Sequence, residues 1–279
     1  LGGYGNFGAR ICRALATGAN IELMVAGRDL AQAQRLADSL GARATAVSID
    51  CNAADFGASL ARLEVGLVIH VAGPFQQQSY AVALATARAG AHYIDLADGR
   101  RFVCDFPQAM HEAFVQAGRT GISGASTVPA LSSGVIDRLC GGWEAIDALD
   151  LCIAPAQTAP RGKATMAAVL SYCGEPTRLW RDGQWTTAAG WAGPERVDFE
   201  RLRPRIGALC DIPDLELFPA RYGVRDRVMF RAALEVGLAQ RVFALLAALR
   251  GAGLLKRPER WAGPLDRIAG AVDWMGTSL

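Results

Sequence analysis

A chain of 279 residues exceeds the ~100–200 residues of a typical domain and points to two domains. Hydrophobic residues make up 51% and charged residues 20%, enough apolar surface for a sizeable core, which excludes a disordered chain. Lys and Arg number 29 against 27 Asp and Glu, a net charge of +2 with the basic residues scattered, so no nucleic-acid partner is expected.

Seven cysteines occur without a C-x-x-C pair, and the three histidines are too few for a zinc site, so reduced thiols and no metal are expected. The most apolar stretch, Val242 to Leu255, is broken by Arg250 and two glycines, short of the ~20 residues of a membrane span. With no visible signal peptide or anchor, a cytoplasmic protein is expected.

In chain order, a glycine-dense opening, LGGYGNFGAR, leads into Phe7 to Ala16, with Ile11 and Leu15 at helical spacing, and Ile21 to Val25 reads as a short buried strand. Leu30 to Leu40 is amphipathic, Ala44 to Ile49 strand-like, Phe56 to Leu63 helical and Gly66 to Val71 (GLVIHV) a buried-strand run. Ser79 to Ala89 is predicted helical, His92 to Leu96 a strand, Phe106 to Ala117 a helix and Thr120 to Gly124 one more strand. Such alternation predicts an α/β fold, a doubly wound parallel sheet of Rossmann type. Parallel neighbours need crossovers, and the crossovers cover the faces of the sheet.

Gly3-x-Gly5-x-x-Gly8 matches G-x-G-x-x-G, in which one glycine allows the sharp turn, the next admits a pyrophosphate and the last lets the helix pack on its strand. About twenty residues on, the next strand ends Val25-Ala26-Gly27-Arg28, with arginine where an NAD enzyme usually carries a carboxylate. A guanidinium binds a 2′-phosphate bidentately, so NADP is the expected cofactor; the alternative for Arg28 is a solvated loop residue. Asp29 reads as the N-cap of the next helix, and Asp50 either reaches the adenine edge or caps its own turn. Such a turn follows a buried strand of about five residues and only Leu1 precedes it, so the sequence is expected to lack the protein's own N-terminus.

With GGYGNFG, VAGRD, VAGPF, AGAHYIDLADG and VPALSSGVID in this order, the sequence resembles the saccharopine dehydrogenase family, in the branch related to saccharopine reductase. The resemblance implies an NADP-binding Rossmann domain over residues 1–125 and a second, α+β domain over 126–279 that completes an active-site cleft. Firm over about residues 1–140, it extends to CDIPDLELFPARYGV and the region around KATMAAVLSYCG. Members run past the closing GTSL, so the C-terminus is expected to be incomplete. By position, Gly3, Gly5, Asn6, Phe7 and Gly8 would hold the pyrophosphate and Arg28 the 2′-phosphate. Ala72, Gly73, Pro74 and Phe75 would lie near the nicotinamide, or form an ordinary strand-ending turn.

Tyr93 and Asp95, two apart on one strand, point the same way; they orient a substrate or serve the core. Ser132, in the segment Thr127 to Ser133, meets substrate or cofactor, or caps a helix. Arg161 and Lys163, ahead of a helix beginning near Ala164, attract a carboxylate or lie on the surface. No Tyr-x-x-x-Lys pair occurs, His70 reads as a core residue, and His92 and His111 have no evident partner, so the catalytic acid or base is left unassigned. WRDGQWTTAAGW reads as a hairpin or a flap whose three tryptophans look exposed and line an apolar pocket or a subunit contact, and a homodimer is among the expectations. Arg225 to Leu234 reads as a strand and Ala239 to Leu249 as a helix.

The expectation is an NADP-dependent oxidoreductase moving a hydride to or from a small or lipid-like substrate. The alternative is a non-catalytic NADP-binding regulator resembling the NmrA-like proteins.

Overall fold

The computed structural model describes residues 1–159 and 163–271 together with Trp274 and Gly276; Arg161 lies outside them. Two compact units form: the first is Leu1–Gly73, Gln77–Ala97 and Asp105–Ser126, the second Pro74–Gln76, Asp98–Cys104 and the chain from Thr127 onward.

The first unit alternates as its periodicity predicts. Helix α1 (Asn6–Ala16) leads to β1 (Leu23–Gly27), α2 (Leu30–Leu40), β2 (Ala44–Ser48), α3 (Phe56–Arg62) and β3 (Leu67–His70). There follow α4 (Ala81–Arg88), β4 (His92–Asp95), α5 (Arg100–Ala117) and β5 (Gly121–Ile122). All pairings are parallel, β1 with β2 and, separately, β3-β4-β5. Cys12, Val25, Ala33, Leu36 and Ala37 form a small apolar cluster where α1 and α2 cover β1. Between β1 and β3 lies a cavity of about 570 Å³. Helix α5 starts six residues before the predicted Phe106, in the second unit, and runs through Pro107, a residue that in sequence reads as belonging to a first turn.

The second unit contains α6 (Ser132–Leu139), β6 (Ala148–Ile153), α7 (Lys163–Tyr172), β7 (Pro176–Arg181), β8 (Gln184–Ala189) and β9 (Glu195–Val197). Then come β10 (Arg205–Leu209), α8 (Asp214–Tyr222), β11 (Arg227–Ala232), α9 (Gly237–Gly251) and α10 (Ala262–Ala271). Its sheet runs β8-β7-β11-β10-β9, antiparallel throughout, with β6 joining β11 in parallel. The predicted hairpin is β7–β8: Asp182 and Gly183 both take positive φ, 54° and 68°, as a two-residue Asp-Gly turn between twisted strands requires. Its tryptophans part company, however. Trp180 and Trp185 face each other across the pair with ring centroids 5.3 Å apart, but Trp191 is 2% exposed and packs on Phe243 in the core. A bulky indole gains more from burial than a glycine-rich context implies.

Candidate functional site

Three strand-to-helix turns meet at the carboxyl ends of β1 and β3. The glycine turn comes first. Its tight conformation falls to Gly2, at φ +75°, rather than to Gly3. A Cβ on Gly2 would press on the Ala72 backbone at 3.2 Å, and one on Gly3 would press on Val25 at 3.0 Å. Gly8 has no room at all: its Cβ would stand 2.1 Å from the Gly2 carbonyl oxygen, so α1 seats on the turn only because Gly8 lacks a side chain. Gly5, Asn6 and Phe7 are exposed, α1 begins at Asn6 without a side-chain cap, and its first turn holds no acidic residue. The result is a glycine-lined cradle at an open helix N-terminus, which favours an anion through main-chain N–H groups and the helix dipole.

The second turn follows β1. Gly3 N donates to the Ala26 carbonyl at 3.0 Å, which sets the glycine turn beside it. Ile49 N donates to Gly27 O at 2.9 Å, and Asp29 N donates to the Tyr4 hydroxyl at 2.9 Å. Arg28 therefore has a backbone fixed on both sides, while its side chain is exposed and makes no hydrogen bond or ion pair with the described residues. Asp29 caps α2, its carboxylate accepting from Gln32 N at 3.0 Å and Gln32 Nε2 at 2.8 Å; those bonds hold its pKa below the usual carboxylate range. The carboxylate nearest Arg28 in sequence is thus engaged as a cap. Asp50 accepts from Asn52 N at 3.0 Å and so caps its own turn.

Tyr4 is the residue that sequence reasoning passes over. It occupies a variable position of the glycine motif, yet its ring lies where a Cβ on Gly27 would be, 2.4 Å away, and its hydroxyl pins the turn that carries Arg28. The pairing of a motif tyrosine with a glycine at the end of the next strand is the signal that would have found it.

The third turn follows β3. Gln78 Nε2 donates to the Ala72 carbonyl at 2.8 Å, and Gly73 is exposed. Pro74 and Phe75 belong to the second unit, where Phe75 is buried against Phe102, ring centroids 5.3 Å apart. The Phe75 side chain is committed to that core.

Tyr93 and Asp95 are 1% and 0% exposed and both engage neighbours within the first unit. The Tyr93 hydroxyl lies 3.0 Å from His70 Nδ1, and its ring stacks on Phe106. Asp95 Oδ1 accepts from Ala97 N at 2.9 Å, Gly124 N at 2.9 Å and the Ser123 hydroxyl at 3.0 Å. Burial, then the Asp95 charge, pushes the Tyr93 phenol up; burial raises the Asp95 carboxyl against the pull of Gly124 N–H, Ala97 N–H and Ser123; burial drives His70 down to about 4. The imidazole is neutral near pH 7. His92 has the partner its sequence context does not reveal, its Nδ1 accepting from Thr120 N at 3.0 Å. In the second unit Ser132 opens α6 and donates to the Pro129 carbonyl at 3.1 Å, and Lys163 begins α7.

Glycine cradle, parallel strands and the strand-end turn with its arginine together define a dinucleotide-binding unit of Rossmann type. Residues 1–122 match the family model of the saccharopine dehydrogenase NADP binding domain. Comparison with curated proteins gives no match. Among solved structures, 81% of the chain aligns with 52% of apo saccharopine dehydrogenase (L-Glu forming) from Saccharomyces cerevisiae, at 17% identity and a TM-score of 0.59; this likeness is one of fold. The chain spans about half the length of that protein. Further alignments take in GenD2 from gentamicin A biosynthesis, in complex with NAD (15% identity, 83% of this chain, 63% of that one, TM-score 0.45). Another is with biliverdin reductase from Synechocystis sp. PCC 6803, in complex with biliverdin and NADP+ (14% identity, 82% and 70%, TM-score 0.42). Neither score carries weight here.

Proposed function

We propose that the protein is an NADP-dependent oxidoreductase and that the first unit presents the cofactor to a small or lipid-like substrate. Main-chain N–H groups at Asn6, Phe7 and Gly8 hold the pyrophosphate, Gly5, whose own N–H closes the turn on the Gly2 carbonyl, leaves room for its approach, and the exposed guanidinium of Arg28 takes the 2′-phosphate. Ala72 and Gly73 give close backbone approach at the end of β3. When bound, the nicotinamide supplies the hydride chemistry. The protein's task is to orient the ring and the substrate.

The observation that carries this reading is Arg28. Its backbone is anchored by Tyr4 and by Ile49, its charge is unspent, and the one carboxylate beside it is capping a helix. A ribose 2′-hydroxyl would gain little from a guanidinium, whereas a 2′-phosphate gains two charge-assisted hydrogen bonds.

The test is a titration of wild type and Arg28→Asp with NADPH and NADH. Affinity for NADPH is expected to fall on the order of 100-fold while that for NADH changes little. Equal loss of both would remove Arg28 from the 2′-phosphate. Turnover on a panel of imines, ketones and enoyl thioesters separates enzyme from regulator: NADPH bound tightly but oxidised with none of them would favour the non-catalytic alternative.

A further inference from the structure

The apolar stretch Val242 to Leu255, too short to span a bilayer, falls on α9 and the connection after it, and α9 is apolar on both sides. Inward, Gln240, Phe243 and Ala247 are buried, with Phe243 against Trp191. Outward, Leu238, Ala244, Leu245 and Ala248 are exposed, and Arg241 is the one charge among them. A solvated helix ordinarily turns polar and charged residues to that side. The pattern continues beyond α9: Leu254 stands out from the connection, Trp261 from a 3-10 turn over Pro258–Trp261, and Ile268 from α10. The five large side chains, Leu238, Leu245, Leu254, Trp261 and Ile268, are between 55% and 75% exposed.

Both helices are tied to α7. The 3-10 turn and α10 pack on it, and Arg250, the inward cation of α9, donates through Nη1 to the carbonyls of Ser171 at 3.0 Å and Leu170 at 3.2 Å and pairs through Nη2 with Glu175 at 2.5 Å. The outward cations differ. Arg241, Lys256, Arg257, Arg260 and Arg267 are exposed and make no hydrogen bond or ion pair with the described residues. Among the described side chains from Gly237 to Ile268 the one carboxylate is Glu259, which is half-buried with its Oε2 shut away from solvent. The stretch therefore presents apolar side chains interleaved with uncompensated positive charge.

We propose that α9, the connection and α10 lie on the surface of an anionic bilayer. The leucines, Trp261 and Ile268 enter the boundary of the acyl chains, and the five cations meet headgroup phosphates, their aliphatic stems lying along the apolar side chains. Charge selects this occupant. A second copy of the same face would lay five uncompensated cations against five, and neutral headgroups would leave all of them without a counter-charge. An acidic protein surface would answer the charges but not the exposed leucines and indole, which need a medium that is apolar at depth. Among the described residues no helix is long and apolar enough to cross a membrane, so the segment lies along the surface. The inference rests on the second unit alone and is independent of the cofactor reading.

The test is flotation of the chain with vesicles of phosphatidylcholine alone and of phosphatidylcholine with about 30% phosphatidylglycerol, read also by tryptophan emission. Anionic vesicles are expected to float the chain and to shift its emission to the blue as Trp261 leaves water; neutral vesicles should do neither. Arg257→Ser with Arg260→Ser should weaken binding on the order of 30-fold, and Leu238→Ser with Leu245→Ser at least as much. All four sites are exposed, so neither double variant should move the urea midpoint, which separates lost binding from lost folding. Binding to neither vesicle, or equal binding to both, would overturn the proposal. So would anionic binding that the leucine variant leaves intact, which would mark simple adsorption of charge. Binding to polyglutamate as tight as that to anionic vesicles, and lost in the same variants, would assign the face to an acidic protein. A dimer of the unmodified chain that the leucine variant dissolves would assign it to a second copy, and overturn the proposal likewise.

Discussion

Around β1, where it carries its site, the first unit has a thin core, and the second unit has a thick core closed by a buried cation. Around β1 the apolar cluster amounts to a few small side chains, and α1 holds its place through one backbone-to-backbone fit at Gly8. The second unit buries Leu170, Leu179, Trp191, Leu215, Phe218 and Val228 together, and Arg100 is spent among carboxylates: Nη1 on Asp211 at 3.0 Å, Nε on Glu216 at 2.9 Å, Nη1 also on the Arg178 carbonyl at 2.9 Å. Local fit governs one and long-range pairing the other. Substitutions therefore separate them.

The largest effect is expected from Gly8→Ala. The added methyl cannot coexist with the Gly2 carbonyl 2.1 Å away, so α1 must shift and NADPH affinity should fall by more than 100-fold. All six tryptophans lie at or beyond Trp143, so their fluorescence reports the second unit and should not change. A matching loss of tryptophan signal on titration with urea would break the comparison.

Next comes Arg100→Met, expected to cost the second unit ~3 kcal/mol, the low end for a broken buried pair because Asp211 and Glu216 each keep about a quarter of their side-chain surface in water. The measurement is the urea midpoint by tryptophan fluorescence. An unchanged midpoint would mean that the core, without the cation, is sufficient.

The most discriminating effect is in pH dependence, because burial acts on a base in one unit and an acid in the other. His70, driven by burial to about 4 from an ordinary value near 6.5, contributes stability that is present above ~6.5 and lost as pH falls toward 4, since the unfolded chain takes the proton first. Asp214, wholly buried at the start of α8, is pushed by burial up to about 6. Its folded state keeps a proton that the unfolded chain releases near ~3.9, so its contribution is present below that and lost as pH rises through 6. Each window is worth on the order of 3 kcal/mol. Subtracting the unfolding curves of His70→Gln and Asp214→Asn from wild type between pH 4 and 7 should give slopes of opposite sign. The first is read by hydrogen exchange in the first unit, the second by tryptophan fluorescence. Slopes of the same sign would sink the assignment of burial as the common cause.

The same contrast explains what could be read from the sequence. In the first unit, elements repeat with short connections and each announces itself by its own period, so the α/β alternation and the cradle glycines were legible from residues 1 to 126. Tyr4 was not, because its meaning depends on Gly27, and the shift of the tight turn from Gly3 to Gly2 is a matter of φ that composition does not express. In the second unit, the hairpin declared itself through Asp182-Gly183, and α9 and β11 through their periods, whereas β6 finds its partner β11 far along the chain and β9 spans only Glu195–Val197. Arg100 carried no local signal, since its partners Asp211 and Glu216 are 111 and 116 residues away.

The division of the polypeptide into Leu1–Gly73, Gln77–Ala97 and Asp105–Ser126 on one side, and Pro74–Gln76, Asp98–Cys104 and Thr127 onward on the other, has a practical corollary for anyone dissecting it. A gene cut at codon 127 would hand the downstream fragment Asp211 and Glu216 while withholding the guanidinium that neutralises them, and would deprive it of Phe75 and Phe102 as well.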